Sequence, residues 1–286
     1  MSAPHPSFEL GPAIMFVPAD RPDRYAKAAE RADAVIIDLE DAVLPADRPA
    51  ARQALVETPL DPARTIVRVN PVGTEDFAED LEALTRTEYT TVMLAKAESA
   101  QQLDSLHGYR VIALCETALG VREAADIAQT EPVVALMWGA EDLIASLGGL
   151  SSRFGEGTPR AGGYRDVARA ARAQVLLAAS AASKAAIDAV YLDLGDHEGL
   201  AAEAEDAVAS GFAATACLHP AQVAVIRQAY RPSSGQVDWA ARVLEAATAS
   251  SGAFSLDGRM VDEVVLQQAR IIQRRHAATA EQPTRK

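Results

Sequence analysis

Eight short runs of apolar residues recur along the chain, each closing on polar or charged positions. They lie at 13–19 (AIMFVPA), 34–40 (AVIIDLE), 65–71 (TIVRVNP), 90–96 (TTVMLAK), 111–116 (VIALCE), 133–139 (VVALMWG), 187–193 (IDAVYLD) and 213–219 (AATACLH). Their nearly continuous apolar character is that of strands buried on both faces. Segments rich in Ala, Glu and Arg separate them and carry helical spacing, at 24–31, 50–56, 75–84, 121–128, 166–186 and 200–210. Strands alternating with helices predict a closed parallel barrel or a doubly wound open sheet. Polar residues end nearly every run, whereas an open sheet gathers its site at one switch point, so the barrel is favoured. The expected fold class is α/β, a (β/α)8 TIM barrel over residues 1–230 with a small C-terminal helical extension or lid over 231–286.

One connection is long. Residues 146–164 are rich in Gly, Ser and Arg and read as a lid or rim loop. After the eighth run come helices at 221–230, 237–250 and about 263–275, with a turn at 231–235 and a Gly-bounded link at 251–258. The first dozen residues and the last ten are expected to be disordered.

Composition narrows the function classes. Of 286 residues 49% are hydrophobic, enough for a large core, and the formal charge of −13 argues against non-specific nucleic-acid or acidic-membrane binding. The two cysteines, Cys115 and Cys217, sit in apolar runs, so no disulfide framework is expected and a reducing cytoplasm is the default. The start lacks the basic-then-apolar pattern of a secretion signal, and no apolar run reaches the ~18 residues of a membrane span.

Carboxylates dominate the strand ends: Asp38, Glu40 and Asp41 after the second run, Glu116 after the fifth, Glu141 and Asp142 after the sixth. In a strand, residues i and i+2 share a face, so Asp38 and Glu40 point the same way. Carboxylates converging in a barrel mouth repel unless a cation sits among them. Oxygen ligands without His or Cys at metal spacing select a hard ion, Mg²⁺ or Mn²⁺. Glu116 and Asp142, from adjacent strands, are the candidate ligands; helix capping or surface ion pairing is the plain alternative. Arg68 lies inside an apolar run on the face of Asn70 and needs a partner, either Asp38 or a substrate carboxylate. Lys96 reads as a salt-bridged lysine rather than a Schiff-base former, His219 as a rim residue and Cys115 as core.

Eight segments carry a family resemblance: FVPADRP (16–22), VIIDLEDAV (35–43), TIVRVN (65–70), MLAKAES (93–99), IALCET (112–117), WGAEDL (138–143), LHPAQV (218–223) and DGRMVDE (257–263). On these the chain resembles the citrate lyase beta-subunit-like family, in the wider group of HpcH/HpaI aldolases and malyl-CoA lyases. The resemblance implies a (β/α)8 barrel in which Glu116 and Asp142 hold Mg²⁺, Arg68 contacts the oxo-acid part of the substrate, and Asp38, Glu40 and Asp41 line the pocket. It also implies that Asp262 is delivered over a neighbouring subunit's site as an acid/base, which requires a homo-oligomer such as a trimer or hexamer. The position two residues later, often Pro in the family, is Val264 here.

The activity so implied is Mg²⁺-dependent cleavage of a β-hydroxyacyl-CoA thioester into an α-oxo acid and an acyl-CoA, or the reverse Claisen-type condensation. In that reading the backbone N–H groups of Gly139 and Ala140 help Arg68 orient the oxo-acid carboxylate. Arg21, Arg24 and Lys27 either meet the phosphates of CoA or are ordinary surface charges. Two other readings stand beside it: a malyl-CoA thioesterase or malate synthase-like activity, which releases free CoA, and a subunit or binding protein without turnover of its own.

Overall fold

A computed structural model describes residues 8–248 and 252–281. The apolar runs form β1 (Ala13–Pro18), β2 (Ala34–Asp38), β3 (Thr65–Val69), β4 (Thr91–Leu94), β5 (Arg110–Cys115), β6 (Val133–Trp138), β7 (Ala185–Asp188) and β8 (Ala214–Cys217). All pair in parallel in chain order, and β1 returns to β8 through Ile14 and Ala216. The fold is a closed (β/α)8 barrel.

The connecting helices are α1 (Tyr25–Arg31), α2 (Arg48–Glu57), α3 (Glu75–Leu84), α4 (Ala118–Gln129), α5 (Ala140–Ser146), α6 (Asp166–Ala181), α7 (His197–Ser210) and α8 (Pro220–Tyr230). Between β4 and β5 a run of 3₁₀ turns, Ala100–Leu106, replaces a helix.

Alternate residues fill the barrel: Ala34 and Ile36 of β2, Ile66 of β3, Ile112 and Leu114 of β5, Ala135 and Met137 of β6, all buried. One further step of two along each strand reaches Asp38, Arg68, Glu116 and Gly139. The same parity that packs the interior therefore aims these residues into the mouth at the strands' C-terminal ends, where barrel enzymes place their chemistry. Leu10 is 2% exposed and joins the interior cluster with Phe8 against it, so this part of the expected disordered start is ordered. At the other end helix continues to Glu281. Residues 1–7 and 282–286 lie outside the described residues.

Two expected elements differ. The helix written as 166–186 stops at Ala181, because Ser183 turns into the left-handed region (φ 57°) and Lys184 N–H donates back to the Ala179 carbonyl at 2.8 Å. The seventh strand consequently begins at Ala185, and the apolar residues Val190 and Leu192, read as strand, line a cavity instead.

The chain divides into two compact units, the first running to Ile226 and the second beginning at Arg227. The second contains α9 (Ser234–Thr248), β9 (Phe254–Leu256), β10 (Arg259–Val261) and α10 (Glu263–Glu281). Ala240, Val243, Val261 and Ala269 form its core, with Trp239, Phe254 and Leu266 packed on them. The expected link at 251–258 is in part a β-hairpin. Asp257 (φ 55°) and Gly258 (φ 75°) form its two-residue turn, the left-handed pair that matches strand twist.

Candidate active site

Asp38 and Arg68 are register partners on β2 and β3. The guanidinium grips the carboxylate through Nε (2.7 Å to Oδ1) and Nη2 (2.6 Å to Oδ2). Its Nη1 lies 3.0 Å from Glu40 Oε2 and 3.8 Å from Asp41 Oδ2. Asp38 also accepts from the N–H groups of Glu40 (3.0 Å) and Ala42 (3.2 Å), so the turn after β2 is wound around its carboxylate. Burial opposes the Arg68 charge, but Asp38, Glu40 and Glu116 more than offset this and raise its pKa. Of the five N–H groups of a guanidinium, these contacts leave one on each terminal nitrogen.

Lys96 follows β4 in a left-handed conformation (φ 50°). Its Nζ lies 2.5 Å from Glu40, 3.3 Å from Asp142, 3.6 Å from Asp41 and 3.9 Å from Glu116. Burial works against this ammonium too, yet the hydrogen bond to Glu40 and the neighbouring acids raise its pKa overall. A lysine so surrounded stays protonated and is a poor Schiff-base nucleophile.

Glu116 is 3% exposed, and its Oε1 accepts from the Lys96 N–H at 3.2 Å. Burial and the field of Asp142 push its carboxyl up to about 8, with Arg68 and Lys96 pulling the other way. A Cβ on Gly139 would stand 2.8 Å from Glu116 Oε2, so only glycine lets this side chain reach the mouth beside α5. Asp142 sits in the first turn of α5 and is partly exposed. The two carboxylates face each other across the mouth with Lys96 beside them, and two oxygen ligands suit a hard divalent ion. Among the described residues no group of three or more His, Cys, Asp or Glu is spaced to hold an ion. Mg²⁺ needs fewer, because it commonly keeps several waters and takes one or two carboxylates.

A cavity of 420 Å³ opens over this cluster and is lined by Asp38, Asp41, Arg68, Glu116, Gly139, Ala140 and Asp142. Glu40 lies buried below the lining, between Arg68 and Lys96. Cys115 faces the core; burial, then Glu116, pushes its thiol up to about 12, which leaves no nucleophile there. Asp262 belongs to the second unit, where its Oδ1 accepts from the N–H groups of Val264 (3.0 Å) and Val265 (3.1 Å) and caps α10. Sequence reasoning missed Arg153 and Tyr164, which reach the same cavity from the long loop. An Arg-rich, aromatic-bearing connection far longer than the usual few residues was the available signal.

A second cavity of 360 Å³ shares Phe16, Pro18, Arg24 and Leu218 with the first and is also lined by Lys27 and His219. Arg21, grouped with these basic residues on sequence, instead pairs with Asp23 at 3.0 Å.

A parallel eight-stranded barrel with an acidic, guanidinium-flanked mouth defines a barrel enzyme with its site at the C-terminal face. The chain belongs to the HpcH/HpaI aldolase/citrate lyase family, whose model matches residues 13–220. The citrate lyase subunit beta-like protein of Mycobacterium tuberculosis is 57% identical over 265 residues, covering 93% of this chain and 95% of that protein. The crystal structure of the CitE protein from M. tuberculosis in complex with magnesium, acetoacetate and coenzyme A is 57% identical, with a TM-score of 0.88 over 94% of this chain and 98% of that one. A citrate lyase beta subunit from M. tuberculosis, complexed with oxaloacetate and magnesium, is 60% identical with a TM-score of 0.75, covering 78% and 98% of the two chains. The family is one of carbon–carbon lyases. No described helix is long and apolar enough to cross a membrane.

Proposed function

We propose that this chain is a Mg²⁺-dependent lyase that cleaves a β-hydroxyacyl-CoA thioester into a 2-oxo acid and an acyl-CoA, or joins them in reverse. The observation that carries the reading is the Glu116–Asp142 pair beside Arg68 in one cavity, with the Glu116 carboxyl pushed up to about 8 by burial and by the neighbouring Asp142. Similar proteins have been solved with magnesium and either oxaloacetate or coenzyme A.

Glu116 and Asp142 hold the ion, Mg²⁺ or Mn²⁺, which when bound supplies Lewis acidity toward the substrate oxygens. Arg68, locked by Asp38 and Glu40, offers its two remaining N–H groups to the oxo-acid carboxylate, helped by the backbone of Gly139 and Ala140. Asp41 edges the same pocket. Arg24 and Lys27 take the phosphates of CoA in the adjoining cavity. Asp262 of a neighbouring subunit exchanges the proton at the α-carbon of the acyl-CoA, so the working form is a homo-oligomer.

The test is a panel of β-hydroxyacyl-CoA esters with and without Mg²⁺, in which oxo acid, acyl-CoA and free CoA are measured separately. Equal amounts of oxo acid and acyl-CoA without free CoA are expected. Free CoA with the hydroxy acid would replace the lyase by a thioesterase, and no turnover of any ester by the purified chain would return it to a subunit or binding role.

Arg68→Lys keeps the charge and loses the fork. Misplacement of a bound substrate by about 1 Å costs roughly 10²-fold, so kcat/KM is expected to fall by about 10²-fold with weaker oxo-acid binding and unchanged Mg²⁺ binding. Steady-state kinetics and calorimetry check this. Unchanged kinetics would make the Arg68–Asp38 pair purely structural.

A further inference from the structure

The connection between α5 and α6 is folded against the barrel. Arg153 bridges Tyr164, Phe154 N–H donates to the Gly163 carbonyl (2.9 Å) and Arg165 N–H to the Ser152 carbonyl (2.8 Å). Ser152 is 1% exposed, and its hydroxyl bonds the Glu141 carboxylate next to Asp142. These ties fix one side chain in the mouth. The Arg153 guanidinium lies 3.8 Å from the centroid of the Tyr164 ring and 4.8 Å from that of Tyr191. It donates to the Gly162 carbonyl (2.8 Å) and to Glu203 of α7 (2.9 Å), and it lines the cavity that holds Arg68, Glu116 and Asp142.

Position gives this residue a distinct task. Tyr191 follows β7, which is four strands from β3 in a ring of eight, so Arg153 and Arg68 occupy opposite walls. The ligand pair Glu116 and Asp142, at β5 and after β6, lies between them. Met137, Ala189, Val190 and Leu192 contribute apolar lining to the same cavity, alongside Tyr164 and Glu141. Donors in such surroundings are worth more than in water.

We propose that Arg153 is a catalytic residue that donates to the thioester carbonyl oxygen as it becomes an enolate oxygen. This rests on the lyase reading above. In cleavage the bond between the carbinol carbon and the α-carbon breaks, and its electron pair becomes the enolate of the acyl thioester. The O–H electron pair of the hydroxyl forms the new carbonyl of the oxo acid. One proton leaves that hydroxyl and one is gained at the α-carbon, so no oxidant or reductant enters. With the oxo-acid half on the Arg68 side of the two metal-ligand carboxylates, the acyl half extends toward the β7 wall. Glu203 already balances the Arg153 charge, so the pair presents directed N–H groups with little net charge. That suits an oxygen whose charge develops only in the transition state.

The test uses acetyl-CoA and propionyl-CoA in D₂O with Mg²⁺ and oxalate, a chelating dianion that cannot condense, and follows α-hydrogen exchange by mass spectrometry. Wild type is expected to exchange. Arg153→Gln is expected to exchange about 10²–10³-fold more slowly, with Arg153→Lys between the two, while calorimetry shows unchanged Mg²⁺ and oxalate binding. The lysine variant keeps a cation for Glu203, and its melting temperature reports whether the loop anchoring survives. Unchanged exchange in both variants overturns the proposal and leaves Arg153 a loop anchor. Loss of oxalate binding in either folded variant overturns it by placing Arg153 in the oxo-acid subsite. Absence of exchange in the wild type with both thioesters overturns the lyase reading itself, and this inference with it.

Discussion

Glu116→Ala and Asp142→Ala are each expected to abolish Mg²⁺-dependent turnover while the barrel remains folded. Either change leaves a single protein carboxylate for an ion that dehydrates reluctantly. The metal-free protein supplies an independent readout. Burial and Asp142 hold the Glu116 carboxyl up to about 8, far above its ordinary value. A raised carboxyl pKa means that folding disfavours the ionised form, so metal-free stability is greatest below the ordinary carboxylate range and is lost as pH rises toward 8. Mg²⁺ needs the ionised form, so protons compete with it: affinity should rise by up to about tenfold per pH unit below 8, with proton release. Asp142→Asn removes the repulsive field and should move this pH dependence downward as it weakens binding. Calorimetry between pH 6 and 9, in buffers of differing ionisation enthalpy, measures both effects. Wild-type Mg²⁺ binding in both alanine variants would reject the ligand assignment.

Much of this site could be read from strand parity. The interior positions Ile36, Ile66 and Leu114 are recognisable as apolar, and the residues two steps on are Asp38, Arg68 and Glu116, so their convergence follows once a closed barrel is assumed. Parity did not reveal how far the acids are already neutralised within the chain. The Lys96 ammonium reaches four carboxylates from a left-handed backbone that no propensity predicts for lysine. Val190 and Leu192 misled for a physical reason: apolar residues lining a cavity look like buried strand in one dimension. The long Arg-rich connection pointed to a rim loop but not to Arg153 in particular, whose place depends on how the loop pairs with itself and with Glu203, contacts distant in sequence. The hairpin of the second unit was passed over as a Gly-bounded link, although Asp257-Gly258 is a strong two-residue turn signal.

Asp262→Asn is expected to lower turnover by about 10²–10⁴-fold, the range for loss of a general acid or base. The residue has an evident structural duty, because its Oδ1 receives Val264 N–H and Val265 N–H at the start of α10. Asparagine caps helices as well as aspartate does, so this substitution keeps the cap and removes only the carboxyl that takes up and gives back a proton. The melting temperature, Mg²⁺ binding and oxo-acid binding should therefore match wild type while the rate collapses. Val261 anchors the preceding strand in the core of the second unit, whereas Met260 is 70% exposed and Val264 is 63% exposed. An acid flanked by two bare apolar side chains fits a surface that meets another subunit. If Asp262 serves a neighbour's site, mixing inactive Asp262→Asn subunits with inactive Glu116→Ala subunits should restore activity, since some pairings join an intact metal site to an intact acid. No recovery after subunit exchange has been verified by mass spectrometry, or full activity in a monomer, would remove the shared site and leave Asp262 as the cap of α10 alone.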